Sequence, residues 1–174
     1  MFTLLDTIPG VARQSVEVII SEIGVDLSRF ESANSLSAWA GVAPGNNEST
    51  GKRPSGKTRR GNNALGVTLN QAAHAVLHIK STYLSAQSHH LAGHRGQKRA
   101  IVAVSHSILV IAYHMIQRKE PYNELGGDYF NKHRVEASVK HLVKQIEFLC
   151  FSVSLGQASS RRLIFYFLVS YEFY

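Results

Sequence analysis

The chain has 174 residues, 44% of them hydrophobic, a formal net charge of +7 and a single cysteine, Cys150. That is enough apolar material for one main core without metal or crosslinks, and a lone cysteine in an apolar run excludes an intramolecular disulfide and reads as a small buried hydrophobe. The start, MFTLLDTIPG, has no basic stretch leading into a long apolar run, so no secretory leader is expected; the setting is cytoplasmic and reducing, with anionic partners favoured.

In chain order, LLDTIPGVARQSVEVIISEIG predicts a short helix, a Pro-Gly turn and a second helix, with Val11, Val16, Ile19, Ile20 and Ile23 at roughly helical spacing and Gly24 as the stop. Over residues 1–24 this resembles a helix-hairpin-helix element, in which a glycine hairpin presents backbone N–H groups to a DNA phosphate. Gly10 and Val11 are the candidate contacts. The usual second glycine is replaced by Ala12, which leaves an ordinary helical hairpin as the equal alternative. Ser32 then predicts the N-cap of a helix through Leu36 and Trp39, closed by Gly41 and Pro44, with Trp39 in the core rather than stacked on bases.

Residues 45–63, GNNESTGKRPSGKTRRGNN, lack apolar periodicity and predict a long basic loop or hairpin. Residues 64–150 predict a small helical bundle: Leu65, Leu69, Ala72, Val76 and Ile79 on one helix, a shorter helix from Tyr83 to Leu91, and another from Ala100 to Ile116. The last of these is interrupted by Ser105, His106, Ser107 and His114 and is expected to be a core helix rather than a membrane span. Pro121, Gly126 and Gly127 end the bundle, and a final helix from about Val135 to Phe148 is expected to bury Leu142, Val143, Ile146 and Leu149. The fold class is therefore mainly α: a helix-hairpin-helix, a basic loop and a small helical bundle.

Charge is unevenly distributed. From Ser49 to Lys119 there is no Asp or Glu, while Lys52, Arg53, Lys57, Arg59, Arg60, Lys80, Arg95, Lys98, Arg99, Arg118 and Lys119 are basic. A solvated surface normally mixes both signs, so this pattern points to contact with a polyanion. Arg59, Arg60, Lys98 and Arg99, with Lys52, Arg53 and Lys57, are the candidate nucleic-acid contacts. The same segment offers no carboxylates for magnesium. His74 with His78, and His90 with His94, share helix faces, but neither pair encloses a glutamate and no cysteine is near, so these read as polar or phosphate-contacting histidines and no metal site is assigned. A serine nucleophile fits the loop better: Ser49 is followed by Gly51, Lys52 and Arg53, which would place positive charge by an attacked phosphodiester. On residue chemistry alone Thr50 and Ser55 remain rivals.

WAGVAPGNNESTGKRPSGKTRRGN, with the upstream IPGV and the downstream YLSAQ and KRAIVAVSHSILVIAYHMI, resembles the C-terminal domain of the insertion-sequence one-ten transposases, the DEDD class related to pilin-gene invertases. The resemblance covers roughly Leu4 to Leu155 and implies a DNA-binding and serine domain over residues 1–155, followed by an atypical tail, 156–174. It also implies that a RuvC-like domain supplies acidic Mg²⁺ ligands, that the domain serine, mapped here onto Ser49, forms a phosphoserine link to DNA, that an element-encoded guide RNA is a possible partner, and that the full-length enzyme is a homo-oligomer in the bacterial nucleoid. The chain departs from the pattern at Leu65, Gly66 and Val67, where relatives carry Leu-Arg-Arg, and beyond about Leu155. The expectation is a transposase C-terminal fragment, inactive without the metal-binding domain; the alternative is a non-catalytic nucleic-acid-binding module left by a truncated transposase gene.

Overall fold

The computed structural model describes residues 1–43 and 58–148, so the predicted loop centre, including Ser49, and the C-terminal tail lie outside the described residues. The chain forms two compact units, Met1–Phe130 and Asn131–Tyr174. Among the described residues the secondary structure is helical: α1 (Phe2–Leu5), α2 (Arg13–Ile23), α3 (Ala33–Ala40), α4 (Asn63–His78), α5 (Tyr83–Arg95), α6 (Gln97–Arg118) and α7 (Tyr129–Phe148).

Local chemistry sets most of these boundaries. Ser32 caps α3 by accepting a hydrogen bond from the Ser35 amide, and Gly41, in the left-handed conformation, ends it. Asn62 and Thr82 cap α4 and α5 in the same way, through the amides of Leu65 and Ser85. Each helix of the first unit then buries its apolar stripe: Val16, Ile19 and Ile23 on α2; Leu65, Leu69, Ala72 and Val76 on α4; Val104, Ile108, Leu109 and Ala112 on α6. α4 runs unbroken through Gly66.

α6 is the central helix, packing against α3, α4, α5 and α1, while α2 packs on α4. By length and composition α6 would pass as a membrane span, but half of its most apolar stretch is buried inside this bundle. α5 reaches Arg95, a turn beyond the expected Leu91, and α6 starts at Gln97 rather than Ala100. These added turns are polar and exposed, so apolar periodicity could not mark them.

Helix directions follow from contacts between the helices. Gln87 Nε2 on α5 donates to Ser107 Oγ on α6 at 3.0 Å, which fixes the register of the antiparallel α5–α6 hairpin. The Ser105 hydroxyl lies 3.2 Å from the Leu69 carbonyl oxygen and 3.1 Å from Asn70 Oδ1, sharing its proton between them. Since α4 leads into α5 through four residues, α4 and α6 run the same way, and the start of α4, the start of α6 and the α5–α6 turn occupy one end of the bundle. α2 runs opposite to α4, because Gly10 lies against Ala72 and Val76 while Glu22 reaches Asn62.

α7 begins in the first unit and supplies the described part of the second. Its start, six residues before the expected Val135, is set in the first unit by Tyr129 and Phe130, whose rings meet Tyr83 at 5.1 and 5.4 Å. The expected stripe is not buried: Leu142 is 53% exposed, Val143 and Ile146 are half-buried, and Leu149 lies outside the described residues. Among the described residues that unit offers no second element to cover a face of α7.

Candidate nucleic-acid interface

Two segments cross at the base of the predicted basic loop. The chain leaves α3 through Gly41 and returns to α4 through Arg59, Arg60 and Gly61, and the two passes touch backbone to backbone. A Cβ on Gly61 would overlap the Gly41 nitrogen and the Ala40 carbonyl, and one on Gly41 would stand 2.6 Å from the Gly61 nitrogen and 2.9 Å from the Arg59 oxygen. The Asn62 amide donates to the Trp39 carbonyl at 3.3 Å, closing the crossing. Asn62 then does two things with its side chain. Its Oδ1 accepts from the Leu65 amide at 3.0 Å, capping α4, and its Nδ2 donates to Glu22 Oε2 at 2.7 Å. A carboxylate beside a helix N-terminus is favoured by the helix dipole.

Around this stem the charge is positive. Arg59 and Arg60 are exposed, and at the same end of the bundle so are Arg95, Lys98 and Arg99 on either side of the α5–α6 turn. The first turn of α6 has no side-chain cap, leaving its amides directed outward among those cations. The ion pair found among the described residues, Arg13 with Glu17 at 3.3 Å, lies elsewhere. The five cations therefore have no carboxylate partner among the described residues. His106, half-buried on α6, is held below the ordinary histidine range by burial, so it adds no charge here near neutral pH.

The hairpin residues lie apart from this end. Ile8 to Val11 form a turn closed by the Val11 amide on the Ile8 carbonyl at 3.1 Å, with Gly10 at φ +81° as a type II turn requires after Pro9. A Cβ on Gly10 would stand 2.6 Å from Val76 Cγ2 and 2.7 Å from the Ala72 oxygen. Turn geometry and the close approach to α4 thus account for the glycine. Val11 is 4% exposed and its amide is already engaged. Because α2 runs antiparallel to α4, its eleven residues separate this turn from the loop stem by about 16 Å.

The structure thus brings together Arg59, Arg60, Lys98 and Arg99, and adds Arg95. It places Gly10 and Val11 at a distance, while Ser49, Lys52, Arg53 and Lys57, with the rivals Thr50 and Ser55, lie outside the described residues. Two participants in the stem escaped the sequence reading. Glu22 is forty positions from Asn62, and no spacing rule links them. Trp39, expected in the core, is 36% exposed at the crossing. Elsewhere, His90 stacks on Phe130 at 5.2 Å and meets His94 edge-on at 5.2 Å, and His74 and His78 are exposed on α4. Among the described residues no group of three or more His, Cys, Asp or Glu gathers that could hold a metal ion.

A family model described as Transposase IS116/IS110/IS902 family matches residues 2–90, from α1 through the loop stem and α4 into α5. A search of curated proteins found no match.

Proposed function

The chain belongs to the IS116/IS110/IS902 family of transposases, and on that premise we propose that it binds DNA at the cationic end of its bundle and presents Ser49 from the adjoining loop to a phosphodiester. The observation that carries this reading is the set of five exposed cations, Arg59, Arg60, Arg95, Lys98 and Arg99, which two distant segments place at one end of the bundle without a carboxylate partner among the described residues. Phosphate contacts of this kind supply affinity and register, not sequence choice. In the reaction Ser49 Oγ would form a bond to phosphorus as the bond to one strand oxygen breaks, and that oxygen would leave with a proton. Lys52 and Arg53 follow closely in sequence and would offset the charge growing on the phosphate.

A serine hydroxyl also needs a base or strong activation. The described residues do not fit a magnesium centre, since no three candidate ligands come together. In this reading the acidic ligands belong to a RuvC-like domain acting with this one, and a guide RNA and further copies of the chain are the other partners that the family resemblance implies. The lack of a gathered metal-binding group among the described residues also favours the second reading, a module that binds nucleic acid and does no chemistry. The two separate in a plasmid assay. The chain with Mg²⁺ should leave supercoiled DNA intact, and adding a matching RuvC-like domain should yield a covalent protein–DNA adduct that Ser49→Ala abolishes and Ser55→Ala leaves. An adduct formed by the chain alone overturns the shared-site account, one surviving Ser49→Ala overturns the choice of serine, and none under any condition favours the second reading.

A further inference from the structure

We propose that Trp39 is a stacking platform for an unpaired DNA base at the loop stem; this rests on the DNA-binding reading above. The placement is unusual for a large apolar ring. Trp39 lies in the last turn of α3, yet it is 36% exposed, while its helix neighbours Leu36 and Ala40 are buried. One side of the indole is supported: its ring centroid stands 5.4 Å from that of Phe30, at an interplanar angle of 56°. Phe30 is itself buried and fixed, its carbonyl accepting from the Tyr113 hydroxyl at 3.2 Å. The indole is thus held from behind and open in front.

Its surroundings suit a nucleotide. The Trp39 carbonyl accepts the Asn62 amide, so the backbone that carries the ring belongs to the crossing through which Arg59 and Arg60 lead into α4. On the other side the Arg29 guanidinium lies 5.5 Å from the centroid of the same Phe30 ring. An aromatic face flanked by cations recognises a base and its phosphates together, the pairing by which proteins grip single-stranded DNA. A duplex keeps its bases stacked on one another, so this platform serves a strand whose base has left the stack.

Trp39 is the sole tryptophan in the chain, so its emission reports on this position alone. The full chain is titrated with an oligothymidylate and with a fully paired duplex, and binding is followed separately by the anisotropy of a dye on the DNA. The single strand should quench the tryptophan as it binds, and the duplex should bind with little quenching. Trp39→Leu, which still covers Phe30, should weaken single-strand binding about tenfold and leave duplex binding within about twofold, whereas Trp39→Phe should retain most of the affinity. Single-strand binding without quenching, or equal affinity in Trp39→Leu, overturns the platform and leaves the DNA-binding reading standing. Absence of any anisotropy change with either DNA overturns both. Should Trp39→Leu fail to fold by circular dichroism, quenching in the wild type decides.

Discussion

Both ends of the helical bundle carry exposed cations, and the two ends use them differently. At the end where α4 leads into α5, Lys80, Arg118 and Lys119 share the surface with Glu120, Glu124 and Asp128. The carboxylate of Glu124 accepts from the amides of Tyr83 at 2.7 Å and Gly126 at 2.9 Å, and the Gly127 amide donates to the Ser81 carbonyl at 3.1 Å. Acidic groups there fasten the return strand of chain onto the helix turn. At the loop-stem end a carboxylate among the described residues, Glu22, serves Asn62 from another helix, and the arginines and lysines stay exposed. Charge that folds the protein is mixed and hydrogen-bonded, whereas charge kept for a polyanion is of one sign and left open.

The largest effect should come from reversing charge at each end in turn. Arg95→Glu, Lys98→Glu and Arg99→Glu together should lower DNA affinity about a hundredfold or more and flatten its salt dependence, while Lys80→Glu, Arg118→Glu and Lys119→Glu should cost about threefold, through net charge. Filter binding across a salt series measures both; equal losses would erase the distinction between the ends. Next in size is Gly61→Ala, whose added methyl group has only backbone to meet, and which should cost about 2–4 kcal/mol in thermal unfolding. A melting temperature equal to that of the wild type would mean that the crossing is loose. Asn62→Ala removes the α4 cap and the partner of Glu22 and should cost about 1–2 kcal/mol, with a smaller loss for Glu22→Gln. A larger loss for Glu22→Gln would show that the carboxylate, not the cap, dominates. Smallest is Gly66→Ala, where the nearest atom would be the Ala40 oxygen at 4.0 Å; it should add about 0.5–1 kcal/mol by strengthening the helix. Destabilisation there would show that the stem demands a glycine at Gly66 too.

What the amino-acid order made legible was local. Ser32 and Gly41 mark the ends of α3 because a cap and a left-handed stop are written in single residues, and the stripe from Leu65 to Val76 marks α4 because burial repeats at the helical period. The basic segment was visible as a run without acids, but its division between two ends was not, because that depends on α4 and α6 running the same way. Gly10 was legible as a turn, though its second cause, the approach of α4, belongs to packing. The early start of α7 reflects Tyr129 and Phe130 meeting rings on α5, contacts that span forty residues or more. Trp39 was misjudged for a related reason: a tryptophan at a buried helix position and one leaning over a buried phenylalanine look alike until α3 is set against α4.

The meeting of Gly41 and Gly61 has an evolutionary consequence as well. Because Gly41 and Gly61 hold the two passes together, the ends of what lies between them are already joined, and doubling its length should cost only about 0.6 kcal/mol in closure entropy. With the buried Val42 kept, the length of the intervening chain can therefore change at little cost in closure. Swapping the segment for one of different length, with Gly41, the buried Val42 and Gly61 retained, should leave the melting temperature nearly unchanged, so a mobile element could acquire new target preferences on an inherited mount.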